Sequence, residues 1–120
     1  MVVFICGPYS DCLKGRTLHN IRKARKVSEV LWSKGFANIC PQSNSAFMED
    51  IAPPSTFHKG YEEVLSLCHA IVLVDGWDKS HEGLIQKELA EKLGKPIYDS
   101  VNEFISASNR LGRGEFTQTA

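Results

Sequence analysis

No apolar stretch in this chain approaches the roughly 20 residues of a membrane span, and no signal-peptide pattern opens it. Membrane insertion and export are therefore not expected. Neither charge is in excess. The 14 basic residues face 14 acidic ones in a chain of 120, so no global field recruits nucleic acid or an anionic lipid surface. The four cysteines are irregularly spaced and form no C-x-x-C pair, whereas zinc requires paired ligand spacing; no metal is expected. Cys6 and Cys40 end apolar runs, where buried thiols are common, which suits a reducing cytoplasm. Neither the phosphate-loop nor the dinucleotide glycine fingerprint is present. Internal repeats and domain boundaries are also missing.

What is present is a layout. With 42% apolar residues the chain can bury one core. Three strand-like runs each pass directly into a polar loop. Val2–Cys6 leads into Gly7-Pro8-Tyr9-Ser10, Phe36–Cys40 into Pro41-Gln42-Ser43-Asn44-Ser45, and Ala70–Val74 into Asp75-Gly76-Trp77-Asp78-Lys79-Ser80. Continuous apolar runs bounded by Gly, Pro and polar residues are expected of strands buried on both faces. Helical spacing covers Arg16–Lys34, capped by Gly35, and roughly Lys59–Cys68. It returns from about His81 to a stop at Gly94. Pro96-Ile97-Tyr98 reads as a short fourth strand and Val101–Ser106 as a short last helix. Alternating strands and helices imply parallel βαβ units, hence a three-layer, flavodoxin-like (Rossmann-like) α/β fold with the first strand central. One domain spans 1–109, and 110–120 reads as a disordered tail. The segment from Gln42 to Phe57 is long for a loop, and loops of that length are commonly lids or binding loops.

Ligands in open parallel sheets bind at the carboxyl ends of the strands, so the three loops define the expected site. Gly7 permits close backbone approach, Tyr9 offers a phenol and a stacking face, and Ser10 a hydroxyl; the same residues also suit a plain strand-to-helix turn. Arg16 is either a phosphate-directed guanidinium or a surface charge. The other nearby basic residues, Lys14, Arg22, Lys23, Arg25 and Lys26, fit a solvated helix face. Ser80 can cap the third helix, and the N–H groups there can accept an anion. Three side chains on that helix compete for a catalytic role. At about 100° per residue, Ile85, Leu89 and Leu93 define an inward stripe. Glu82 lies almost along it at the helix mouth, Gln86 at its margin, and Glu88 well to the other side. An inward carboxylate at a cleft is costly unless paired or used, although a first-turn acid also favours the helix dipole.

Together these residues resemble the nucleoside 2-deoxyribosyltransferase superfamily, in particular its short phage and bacterial members of unknown function. The match runs through Ile5-Cys6-Gly7-Pro8-Tyr9-Ser10, Gly15-Arg16-Thr17 with Asn20-Ile21, and Ile39-Cys40-Pro41 with Asn44. It continues through Gly60 with Glu63, Gly76-Trp77 with Ser80, and Leu93-Gly94-Lys95-Pro96-Ile97-Tyr98, covering nearly all but the tail. The resemblance implies cleavage or exchange of the N-glycosidic bond of a deoxynucleoside or nucleoside monophosphate, with no metal or organic cofactor. It also implies a helix-borne glutamate nucleophile that forms a glycosyl-enzyme. Tyr9 would lie beside the anomeric carbon, Arg16 and Ser80 would hold phosphate, and a second subunit would complete the site of a homodimer. Gly7, Pro8, Ser10, Asn44, Asp75 and Trp77, on the same three loops, complete the expected substrate-contacting set.

The chain departs from that pattern where the chemistry sits. Gln86 occupies the position of the nucleophilic glutamate, and a neutral amide is a poor nucleophile. Gly60-Tyr61 and Cys68-His69 stand where aspartates are usual. Either Glu82, one turn earlier, has taken over, or the chain is a nucleotide-binding module that senses or sequesters ligand without turnover. A partner-binding protein using Trp32, Phe47 and Phe57 is a third reading.

Overall fold

A computed structural model of the chain describes residues 1–9 and 16–111. Four parallel strands, β1 (Val2–Cys6), β2 (Ala37–Ile39), β3 (Ala70–Leu73) and β4 (Ile97–Tyr98), form one sheet in the order β2-β1-β3-β4. The register pairs Val2 with Ala37 and Val3 with Ala70 on either side of β1, and Ile71 with Ile97 at the far edge. Among the described residues, five α-helices connect or follow the strands: α1 (Arg16–Ser33), α2 (Pro41–Asn44), α3 (Pro54–Leu67), α4 (His81–Lys92) and α5 (Val101–Leu111). One 3₁₀ turn, Trp77–Lys79, lies between β3 and α4.

The period-two alternation of side chains explains why β1 and β3 read as unbroken apolar runs. Val3, Ile5, Ala70 and Val72 pack on one face with Ala24 and Leu31 of α1 and Phe104 and Ala107 of α5. Phe4, Cys6, Ile71 and Leu73 pack on the other with Leu65 of α3 and Ala90 of α4. Both faces are covered, which makes the flavodoxin-like three-layer arrangement. Phe104 anchors the first core, edge-on to Phe36 at 4.9 Å and to Tyr98 at 5.3 Å between ring centroids, a favoured aromatic geometry.

Several boundaries differ from the sequence reading. The stretch from Gln42 to Phe57 is not one loop, because α2 begins at Pro41 and α3 at Pro54. Proline in the first turn is tolerated by a helix, since its missing N–H would have no intrahelical partner; there it marks a start, not an interruption. The last helix continues past Ser106 to Leu111, with Ala107 and Ser108 buried. The rest of the expected tail, 112–120, lies outside the described residues, as does Ser10. Among the described residues no helix is long and apolar enough to cross a membrane.

Candidate functional site

The strand order reverses between β1 and β3, and the crevice outside such a switch point is where α/β sheets bind ligands. Here the Gly7-Pro8-Tyr9 loop divides that crevice in two. On one side lies a mostly apolar cavity of about 210 Å³, lined by Gly7 and Tyr9, by α2 and the segment after it, by Phe57, His58 and Tyr61 of α3, and by Glu82 and Gln86 of α4. On the other lies a polar groove lined by Pro8, Arg16, His19 and Lys23, by the loop carrying Asp75 and Gly76, and by Ser80 and Glu82. Glu82 borders both.

The dividing loop is held from two sides. Gln42 Nε2 donates to the Gly7 carbonyl at 2.9 Å, and Asn20 Nδ2 donates to the Tyr9 carbonyl at 3.1 Å. Both amides are buried. A side chain at Gly7 would bring Cβ within 2.8 Å of Val74 Cβ, so glycine is needed for the loop to lie against the end of β3.

Glu82 owes its position to the start of α4. Ser80 caps the helix, its Oγ accepting from Gly83 N–H at 2.9 Å. The hydroxyl proton is directed at Glu82 Oε2, 3.3 Å away. The other carboxylate oxygen, Oε1, accepts from His58 Nε2 at 3.2 Å. Gly83 makes this turn possible, since any Cβ there would collide with the Trp77 carbonyl and sit 3.0 Å from its carbon. The carboxylate is thus held at both oxygens at the boundary of the two spaces.

Gln86, one turn on, is buried and lines the cavity. Its Oε1 has no hydrogen-bond partner among the described residues. The expected inward stripe of Ile85, Leu89 and Leu93 is corrected here. Ile85 and Leu93 are exposed, Leu89 is half-buried, and Gly83, Gln86 and Ala90 form the buried face. The tight approach at Gly83 leaves no room for large side chains facing inward, so the small residues and the amide take that face.

Tyr9 lines the cavity, but its hydroxyl is fully engaged, donating to Glu49 Oε1 and accepting from Phe47 N–H at 2.9 Å. Burial, reinforced by the hydrogen bond to Glu49, raises the phenol above its ordinary range; the same bond holds the exposed Glu49 carboxyl below its own. Arg16 and Ser80 both line the groove, as do Pro8 and Asp75. Asn44 is exposed and braces the cavity from outside, donating to the Tyr61 hydroxyl at 3.0 Å. Trp77 lines neither space. Its ring packs on the second core, with Lys87 Nζ 5.1 Å from its centroid.

Glu49, His58, Gln42 and Asn20 were not foreseen as site residues. Glu49 and His58 lie in or just beyond the segment read as a long loop. The one signal available, its length, points to a binding role for the segment without singling out either residue. Free thiols occur at Cys6, Cys40 and Cys68, all buried, and burial pushes the Cys6 thiol up to about 12. Among the described residues no three His, Cys, Asp or Glu side chains converge as metal ligands would. No protein-family model matches the chain, and no curated protein matches it.

Proposed function

We propose that the chain cleaves the N-glycosidic bond of a (deoxy)nucleoside monophosphate, with the base in the apolar cavity, the 5′-phosphate in the polar groove and Glu82 between them. The observation that supports this most is the position of Glu82: among the described residues it is the carboxylate that lines both spaces, as a group acting on the sugar between base and phosphate must. The resemblance to the deoxyribosyltransferase superfamily supplies the reaction class.

In this reading a Glu82 oxygen attacks the anomeric carbon while the carbon–nitrogen bond breaks, and the leaving base takes up a proton from solvent, which the hydrolytic water of the next step returns. Water then cleaves the glycosyl ester, restoring the carboxylate. The His58 and Ser80 contacts orient the carboxylate, and Tyr9 presents a ring face to the sugar. Arg16 and the N–H groups at the start of α4 hold phosphate; Ser80 joins them if its proton turns away from Glu82. Displacement of this kind requires no metal or organic cofactor. The setting is the reducing cytoplasm, where the three buried thiols stay free, and the working form is a homodimer, as the resemblance implies.

Incubation with a panel of deoxynucleoside monophosphates, with free base assayed by chromatography, tests the reading. Base release that disappears in Glu82→Gln is expected; release no greater than that of Glu82→Gln would remove it. Gln86 favours a second reading, a nucleotide-binding module without turnover, because a neutral amide stands where the resemblance places the nucleophile. Calorimetric nucleotide binding without base release would select that alternative.

A further inference from the structure

The apolar cavity contains one polar atom with an unmet requirement. Gln86 Oε1 is buried without a partner among the described residues, and an unpaired buried acceptor is costly unless something donates to it. Among the described residues, the neighbouring side-chain donors are already committed. The Tyr61 hydroxyl donates to Ser45 Oγ at 2.7 Å, the Tyr9 hydroxyl to Glu49, and Gln42 Nε2 to the Gly7 carbonyl. Of the other polar side chains on the wall, Glu49 and Glu82 present acceptors, the His58 ring N–H is directed at Glu82, and the Ser45 hydroxyl donates to the Pro41 carbonyl. A ligand that placed a keto oxygen opposite Gln86 Oε1 would set acceptor against acceptor. One that placed an amino group there would satisfy it.

Size and wall chemistry narrow the ligand further. A dry protein cavity of about 150 Å³ holds benzene; this one, at about 210 Å³, has room for a second fused ring. Tyr9, Phe57 and Tyr61 contribute aromatic walls and Pro41 and Pro54 flat aliphatic ones, surfaces suited to a planar heterocycle.

We infer that the cavity selects a bicyclic base bearing an exocyclic amine, an aminopurine, and that Gln86 Oε1 is the acceptor that reads the amine. This rests on the cavity being the base site of the function proposed above. Gln86 then determines specificity, which accounts for a buried amide beside the carboxylate.

Calorimetry with free bases tests this directly. Adenine, unsubstituted purine and cytosine are titrated into the wild-type chain and into Gln86→Met and Gln86→Glu. Adenine is expected to bind about tenfold more tightly than purine, the worth of one well-placed hydrogen bond to a buried acceptor, and more tightly than cytosine. Gln86→Met should erase the adenine–purine difference, and Gln86→Glu, which keeps an oxygen in place, should preserve it. Equal binding of adenine and purine by the wild type would overturn the inference without recourse to any variant, as would a preference that survives in Gln86→Met. Cytosine binding as tightly as adenine would overturn the bicyclic assignment. If any of these results appears while nucleotides still release base in a Glu82-dependent manner, only this inference falls. Loss of base binding together with absence of base release would remove the functional reading as well.

Discussion

Replacing Ser80 separates two roles that the structure assigns to one hydroxyl. Ser80 Oγ is the acceptor for the buried Gly83 N–H, and its proton points to Glu82. In Ser80→Ala that N–H loses its partner at a site where water has little access. Losing an N-cap costs about 0.5–2 kcal/mol, and stranding a buried donor falls in the upper part of that range, so destabilisation of about 1.5 kcal/mol is expected. For a domain of this size that amounts to a fall in Tm of roughly 5–9 °C. Urea unfolding followed by circular dichroism gives the value, with an unchanged m-value showing that stability alone has moved. Ser80→Asp is the informative companion. Aspartate caps as well as serine, so the Gly83 N–H keeps an acceptor. It also places a negative charge beside Glu82 and in the path of the phosphate of the proposed substrate, so on that reading monophosphate binding should drop by at least tenfold. A Ser80→Ala protein within about 0.3 kcal/mol of wild type would refute the capping argument, and with it the account of how Glu82 is positioned.

Other substitutions probe separate parts of the site. Arg16 is exposed in the groove, so Arg16→Ala should leave stability unchanged. It should weaken monophosphate binding ten- to a hundredfold, the equivalent of about 1.5–3 kcal/mol of charge-assisted hydrogen bonding, with little effect on the nucleoside. Equal weakening of both ligands in calorimetry would show that the phosphate is held elsewhere. Gly7→Ala should destabilise by about 1–3 kcal/mol in urea unfolding, because the added methyl meets the fixed Cβ of Val74. In ultraviolet titration, Tyr9 should ionise later than an ordinary tyrosine, and Tyr9→Phe should abolish that late phase. Glu49→Gln should bring it to lower pH. The raised Tyr9 phenol implies a stabilising contribution that is complete below the ordinary tyrosine range and lost as pH rises through its folded value. The depressed Glu49 carboxyl implies the converse, a contribution present above the ordinary carboxylate range and lost as pH falls through its folded value.

The sheet was legible because β1 and β3 are buried on both faces and their unbroken apolar runs have no other use. Gly35 and Gly94, both at positive φ, end helices where sequence reasoning placed the ends, since that backbone conformation favours glycine. The inward face of α4 was misread because periodicity registers which side chains are large and apolar, not how much space lies beneath them. The start of α4 presses against the Trp77 carbonyl, so Gly83 and Ala90 face inward while Leu84, Ile85 and Leu93 remain exposed. That same reading set Gln86 at the margin, whereas it sits buried in the cavity wall. His58 and Glu49 could not be anticipated, because their partners, Glu82 and Tyr9, are 24 and 40 residues away in the chain. Only the approach of α3 to α4, and of the segment after α2 to the β1 loop, brings them together. Asp75, Trp77 and Ser80 were grouped from one loop, yet the 3₁₀ turn sends Trp77 onto the core and leaves Asp75 and Ser80 in the groove.

The covalent intermediate is the most direct object of measurement. A single turnover with a deoxynucleoside monophosphate, quenched in acid and digested, should yield the peptide that carries Glu82 with an added deoxyribose 5-phosphate, detected by mass spectrometry. Glu82→Gln should yield neither the adduct nor free base. Base release that persists in Glu82→Gln, or an adduct on Glu49 or Glu88 in the wild type, would contradict the assignment of Glu82 as the group that attacks the sugar.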